Sequence, residues 1–257
     1  MPLDEEERDE FDGLVLKLKQ RLNDDEIGYG LVRLQLKEMA GEGEYEPPVT
    51  PGVHDEKAPD ANTDFFTPLL DHEVPVEHKD TCAKYRTLAT EHDVLPTTPI
   101  CYRVRAGFTL KHHAPKFGPC HQNFDYLQDW NFPDDPTTDS LVFWVPRLLK
   151  NSTSKTKDQQ MKLLSQLRTK LELPAHHLTG FGNTALVAGL ILAHHKATSE
   201  CIPLNQYYVR TETCFAGGGR LALHWRGVVL YCDGWVFGDH ANGGVGVFAL
   251  GVEALGH

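Results

Sequence analysis

The run from Tyr207 to Val252 constrains the fold more than any other part of the chain, because glycine-bearing dipeptides divide it into short apolar segments. Asp233-Gly234 stands between VVLYC and WVF, and Arg226-Gly227 stands between LALHW and VVLYC. Two-residue hairpin loops favour such pairs, since a type I′ turn needs positive φ at both central positions. With two-residue loops, Trp225 faces Val228, Leu223 faces Leu230 and Leu221 faces Cys232; Cys232 then faces Trp235 and Leu230 faces Phe237. Residues paired across strands share a face. One face therefore carries Leu221, Leu223, Trp225, Val228, Leu230, Cys232, Trp235 and Phe237, all apolar, and the agreement of two turns on one face supports the register. The other face carries Ala222, His224, Val229, Tyr231 and Val236. It is only partly polar, so a covering element is expected there, with the helix after Asn183 as the candidate. A last strand is expected over 245–252, following a polar loop at 238–244.

Upstream, Tyr102, Val104, Ala106 and Phe108 alternate with Arg103 and Arg105, which predicts a strand over 100–110. The continuous apolar run LVFWV at 141–145 reads as a strand covered on both faces. Thr156 followed by Gln159 fits a capping box, and helical spacing continues through Met161, Leu164, Leu167 and Leu171 to Pro174. Asn183 can cap a helix over 184–196 that is apolar nearly all round and belongs in the core. At the N-terminus, Phe11, Leu14, Val15, Leu18 and Leu22 form one stripe, and Ile27, Leu31 and Leu34 form a second after Asn23 to Asp25, which predicts a helical hairpin. Prolines 47, 48, 51 and 59 among glycine and acidic residues mark a linker. The expected organisation is a helical arm at 1–40, a flexible acidic and proline-rich linker at 41–64, and an α+β domain at 65–257. The domain is expected to hold a mainly antiparallel C-terminal sheet covered by helices.

Charge narrows the function. A net charge of −11 over 257 residues opposes general affinity for nucleic acid or anionic membranes. The first ten residues are acidic, with neither a basic start nor an apolar run, so no secretory signal is expected. The apolar stretch at 184–193 is too short to span a bilayer. A soluble, cytoplasmic protein is the expectation. Six cysteines are scattered without a C-x-x-C pair, which suggests free thiols. Fourteen histidines include the doublets His112-His113, His176-His177 and His194-His195.

Several constellations could carry chemistry. Cys232 with Asp233 and His240 resembles a nucleophile and its base, but the register buries the thiol among Leu and Trp, where it acts as a small hydrophobe. His224 and Tyr231 are cross-strand neighbours, and Glu212 and Arg210 lie one strand earlier. That group suits acid–base work, since histidine titrates near neutrality and a carboxylate can fix its tautomer. Cys101, His112, His113, Cys120 and His121 form the densest set of zinc-type ligands, with Cys82 upstream, although they match no zinc-finger or ribbon spacing. Arg103, Arg105 and Lys111 form a local positive patch suited to phosphate or carboxylate. The glycines at 217–219 are followed by a strand and no Gly-Lys-Ser/Thr, so they read as a loop and not a phosphate cradle. The polar, basic segment 150–157 reads as a solvated loop. From the arm, linker and domain layout, the first functional expectation is a non-catalytic interaction or accessory protein binding a partner, or itself, through residues 4–40. The alternatives are a metal-dependent or acid–base hydrolase and a small-anion binder.

Overall fold

Short apolar strands pair into two four-stranded sheets in this computed structural model, which describes residues 64–204, 207–215, 219–235 and 243–255. The helical arm expected at 1–40 and all but the last residue of the linker lie outside the described residues. In chain order the strands are β1 (Phe66–Leu69), β2 (Cys101–Val104), β3 (Ser140–Trp144), β4 (Tyr208–Cys214), β5 (Arg220–Arg226), β6 (Val229–Trp235), β7 (Val245–Gly246) and β8 (Leu250–Ala254). One sheet has the order β1-β2-β3-β8 and the other β6-β5-β4-β7. All pairs are antiparallel except β4 with β7. The helices are α1 (Lys79–Glu91), the single turn α2 (Ala114–Phe117), α3 (Lys157–Lys170) and α4 (Thr184–Thr198), with 3₁₀ segments at Val76–His78 and His121–Asp129. The architecture mixes helices with antiparallel and mixed sheets, and no described helix is long and apolar enough to cross a membrane.

All five residues of β3 are buried, as a strand covered on both faces requires. Cys101, Leu141 and Phe143 pack with Tyr85 and Leu88 of α1 and Leu164 of α3. Tyr102, Val142 and Trp144 on the opposite face join a second core with α4. Thr156 and Gln159 form the reciprocal capping box that starts α3, and the Asn183 side chain accepts from Leu186 N–H at 2.7 Å to start α4. Every residue of α4 from Thr184 to His194 is buried, because the helix meets both sheets. Its His194 ring lies 6.1 Å from Trp144 and its His195 ring 5.0 Å from Trp225. Gly189 makes this approach feasible, since a Cβ there would overlap the Phe66 ring.

Four expectations about the strands need correction. The β5–β6 turn is Gly227-Val228, with Gly227 at φ +60, so Trp225 pairs with Leu230, Leu223 with Cys232 and Leu221 with Gly234. A shift of two residues preserves the side-chain alternation. Leu221, Leu223, Trp225, Leu230 and Cys232 stay on one buried face, while Val228 is 72% exposed at the turn. Asp233-Gly234 is not a turn but part of β6. Its glycine makes room for Trp130, whose Cζ3 would sit 2.9 Å from an added Cβ. The segment 119–126 holds that strand extended: Leu230 N–H donates to Pro119 O at 2.8 Å, and Tyr126 Oη donates to Cys232 O at 2.9 Å.

The strand expected over 245–252 is two strands in different sheets. Between them Val247 N–H donates to Ser152 Oγ at 3.2 Å and to no sheet partner. The strand expected over 100–110 ends at Val104, before a turn with Gly107 at φ +97. The expected helical cover also falls elsewhere: α4 packs on the Leu221, Leu223 and Trp225 face and not on the His224 face.

Candidate functional site

The partly polar face of β4, β5 and β6 gathers the strongest acid–base arrangement. His224 pairs directly with Tyr231 across β5 and β6, and Asp233 follows two residues later on the same face, opposite the small Ala222. Ala222 leaves the Asp233 carboxylate room to reach diagonally, and Asp233 Oδ2 lies 3.2 Å from His224 Nε2. The two side chains are only 8% and 14% exposed, so the contact is shielded from water. On β4, Tyr208 continues the row. Its ring centroid is 4.4 Å from that of His224, and its hydroxyl donates to Asp233. Burial, followed by the Asp233 charge and that hydrogen bond, pushes the Tyr208 hydroxyl well above its ordinary range, so it remains a donor at neutral pH.

Tyr231 completes the row from the other side, 4.8 Å from His224 and stacked on His121 at 4.1 Å. Tilted ring contacts with Tyr208 and Tyr231 confine the His224 imidazole on both sides, and Asp233 stands beside its Nε2. A neutral imidazole with its proton on Nε2, the nitrogen nearest Asp233, carries its lone pair on Nδ1.

Glu212 is not part of this group. A register shift in the β4–β5 pairing between Arg210 and Cys214 re-aims it, and its carboxylate accepts from Phe181 N–H at 3.1 Å. Arg210 is 1% exposed. Its Nε donates to Gln160 Oε1 at 2.6 Å, while Nη1 and Nη2 have no hydrogen-bond partner among the described residues. Burial, with the Arg220 charge added, lowers its pKa to about 10. Cys232 is fully buried in the core, and burial raises its thiol well above the ordinary value, so it stays a neutral hydrophobe.

The five expected zinc ligands do not converge. Cys101 and Cys120 belong to different cores, which places the sheet of β1, β2, β3 and β8 between them. Burial pushes Cys120 up to about 12 and Cys101 higher, the wrong direction for thiolate ligands. His112 is exposed, His113 Nδ1 is engaged by Thr109 Oγ1 at 2.9 Å, and His121 is committed to the Tyr231 stack. The anion patch is likewise divided. Arg103 and Arg105 are exposed, but Lys111 Nζ donates to Trp130 O at 3.0 Å and lies over the Phe132 ring.

Two features went unnoticed in the sequence. Tyr208 and Asp233 sit at alternate positions consistent with the His224 face, yet Asp233 was hidden by its assignment to a turn. The second feature is a group around Glu253 on β8. Its carboxylate lies 2.8 Å from His176 Nε2 and 2.9 Å from His177 Nε2, one oxygen to each imidazole. Burial raises the Glu253 pKa, but hydrogen bonds and charge from His176 and His177 outweigh it and hold the carboxyl below its ordinary value. The sequence signal was the His176-His177 doublet alone, since Glu253 lies 77 residues beyond His176.

Neither a known family, nor a curated protein, nor a solved structure matches this chain.

Proposed function

We propose that the protein is an acid–base hydrolase acting through His224, oriented by Asp233. The carrying observation is the 3.2 Å contact between His224 Nε2 and Asp233 Oδ2, buried in a row of aromatic rings. In this reading His224 Nδ1 takes a proton from water as the oxygen adds to an ester or amide carbonyl. The same imidazole returns the proton to the leaving group. Asp233 stabilises the imidazolium that forms between the two steps, and the Tyr208 hydroxyl holds Asp233 in place. Tyr231 keeps the ring from rotating.

Turnover of p-nitrophenyl acetate by the full chain tests the reading, with His224→Gln and Asp233→Asn alongside the parent. General acid–base groups contribute about 100-fold or more, so each variant should lose at least that much turnover while keeping its circular dichroism. Equal rates in the parent and His224→Gln would overturn the assignment.

Partner binding or self-association through residues 4–40 is a separate proposal, carried by the stripe of Phe11, Leu14, Val15, Leu18 and Leu22. Deleting residues 1–63 should leave a folded domain that no longer associates. A deletion that unfolds the remainder sinks this second reading.

A further inference from the structure

Adjacent residues rarely aim two side chains at one point, yet His176 and His177 both reach the Glu253 carboxylate. The connection after α3 explains how. His177 N–H donates to Pro174 O at 2.9 Å and closes a turn, and Thr179 Oγ1 donates to His176 O at 3.0 Å. Arg168 Nη1 donates to Ala175 O at 2.9 Å, pinning the same turn to α3. Glu253 meets the two rings from β8, the outermost strand of its sheet. One ligand atom from each of the three side chains lies within 4.8 Å of the others. A third imidazole stands nearby, with His78 Nδ1 4.0 Å from Glu253 Oε1.

We propose that His176, His177 and Glu253, joined by His78, form a binding site for a divalent transition-metal ion, with zinc as the best chemical match. Imidazole nitrogen and carboxylate oxygen are borderline to hard donors that suit first-row divalent ions, and no thiolate is present to select a softer one. Bonds of about 2.0–2.2 Å in a tetrahedron space the ligand atoms roughly 3.3 Å apart. The observed N···O separations of 2.8 and 2.9 Å open by a few tenths of an ångström to admit the ion. Once Nε2 of His177 binds metal, its proton resides on Nδ1, and Tyr85 Oη stands 3.4 Å from that atom to receive it. This is the outer partner that metal-binding histidines use to hold their tautomer.

Space and access agree with the same reading. Gly251 lies two residues before Glu253 on the same sheet face, and a Cβ there would overlap both His177 Nδ1 and Tyr85 Oη. The His177 side chain is fully buried, whereas that of His176 is 55% exposed and opens the group to solvent, providing a path for the ion.

The test uses the full chain, stripped with chelator and titrated with Zn²⁺ by calorimetry, and with Co²⁺ by visible absorption. One equivalent should bind with sub-micromolar affinity, and Co²⁺ should show the intense visible bands of a tetrahedral site. His176→Ala is the variant least able to disturb folding, because that side chain is half exposed. It and Glu253→Gln should each weaken binding more than about 100-fold, beyond the loss expected for an outer partner. His78→Ala should lose less, and His112→Ala should bind like the parent. Binding below half an equivalent, or full affinity in His176→Ala with its fold intact, overturns the site. Zinc binding is read independently of ester turnover, so either site can fail alone.

Discussion

The His224 and Glu253 clusters use the same parts, imidazoles and one carboxylate, but arrange them oppositely. In the first, Asp233 faces one imidazole and receives one phenol, and tilted aromatic rings flank the imidazole on either side. In the second, one carboxylate receives two imidazole nitrogens, with a third histidine beside it. Flanking rings hold an imidazole in place and leave one nitrogen for proton transfer, whereas convergence directs several lone pairs at one point. The two proposals, acid–base chemistry on one sheet and ion binding on the other, therefore use the same residue types. Geometry separates them, and composition does not.

Asp233→Asn gives the largest contrast. An amide can hold the wrong imidazole tautomer without changing shape, and in the Ser-His-Asp template such a change costs about 10⁴ in turnover. A loss of at least about 100-fold in ester turnover with zinc affinity unchanged would sharpen the separation of the clusters. A loss of zinc affinity in this variant would break it.

His194 supplies the next test, because it belongs to neither cluster. It is fully buried in α4, and its Nε2 is 3.6 Å from Glu200 Oε2, beyond hydrogen-bond range. Burial lowers its pKa to about 4, against the opposing pull of Glu200 and with Arg147 and His195 adding to the fall. The unfolded imidazole titrates near 6.5, so acid protonates the unfolded chain first. The stability linked to His194 is therefore complete above that value and drains away as pH falls toward 4, by about 3 kcal/mol at most. Melting temperature measured from pH 7 to 4 should fall, and His194→Leu should flatten the slope. An unchanged slope in that variant would overturn this role of His194.

Several parts of this arrangement were legible along the chain. Thr156 with Gln159 and Asn183 before an apolar run announce two helices because caps act locally. The run 141–145 announces a strand buried on both faces for the same reason. Alternation also placed Leu221, Leu223, Trp225, Leu230 and Cys232 on one face although the turn moved by one residue, since a register shift of two preserves parity, but Trp235 pairs with Arg220 in the opposite phase and Phe237 lies outside the described residues. Asp233-Gly234 failed because a glycine can answer either to a turn or to a neighbour that needs room. Only the tertiary position of Trp130 distinguishes the two. The Glu253 cluster was less legible still. Its members come from the 3₁₀ segment before α1, the connection after α3 and the last strand, and no short-range spacing links these three places.

The two glycines beside the clusters allow a comparison of stability. Gly251→Ala drives a Cβ into His177 and Tyr85, both fully buried and packed against Phe143. Overpacking of this kind costs about 2–3 kcal/mol, read as a fall in the denaturant midpoint.

Gly234→Ala should cost less, about 1 kcal/mol. The added methyl would come 2.9 Å from Trp130 Cζ3 and 3.3 Å from Phe215 Cε1, both far ends of side chains. Trp130 and Phe215 are only partly buried, so these rings can yield outward, while the His177 and Tyr85 rings have no such freedom. The alanine also suits an extended strand better than glycine does, which offsets part of the cost. Denaturant midpoints for the two variants should therefore differ by more than their combined error, with Gly251→Ala the lower. Equal losses would mean that Gly234 is as tightly enclosed as Gly251. The apolar face of β5 and β6, behind the His224 row, would then be as rigid as the packing around Glu253, and the contrast between the two clusters would rest on chemistry alone.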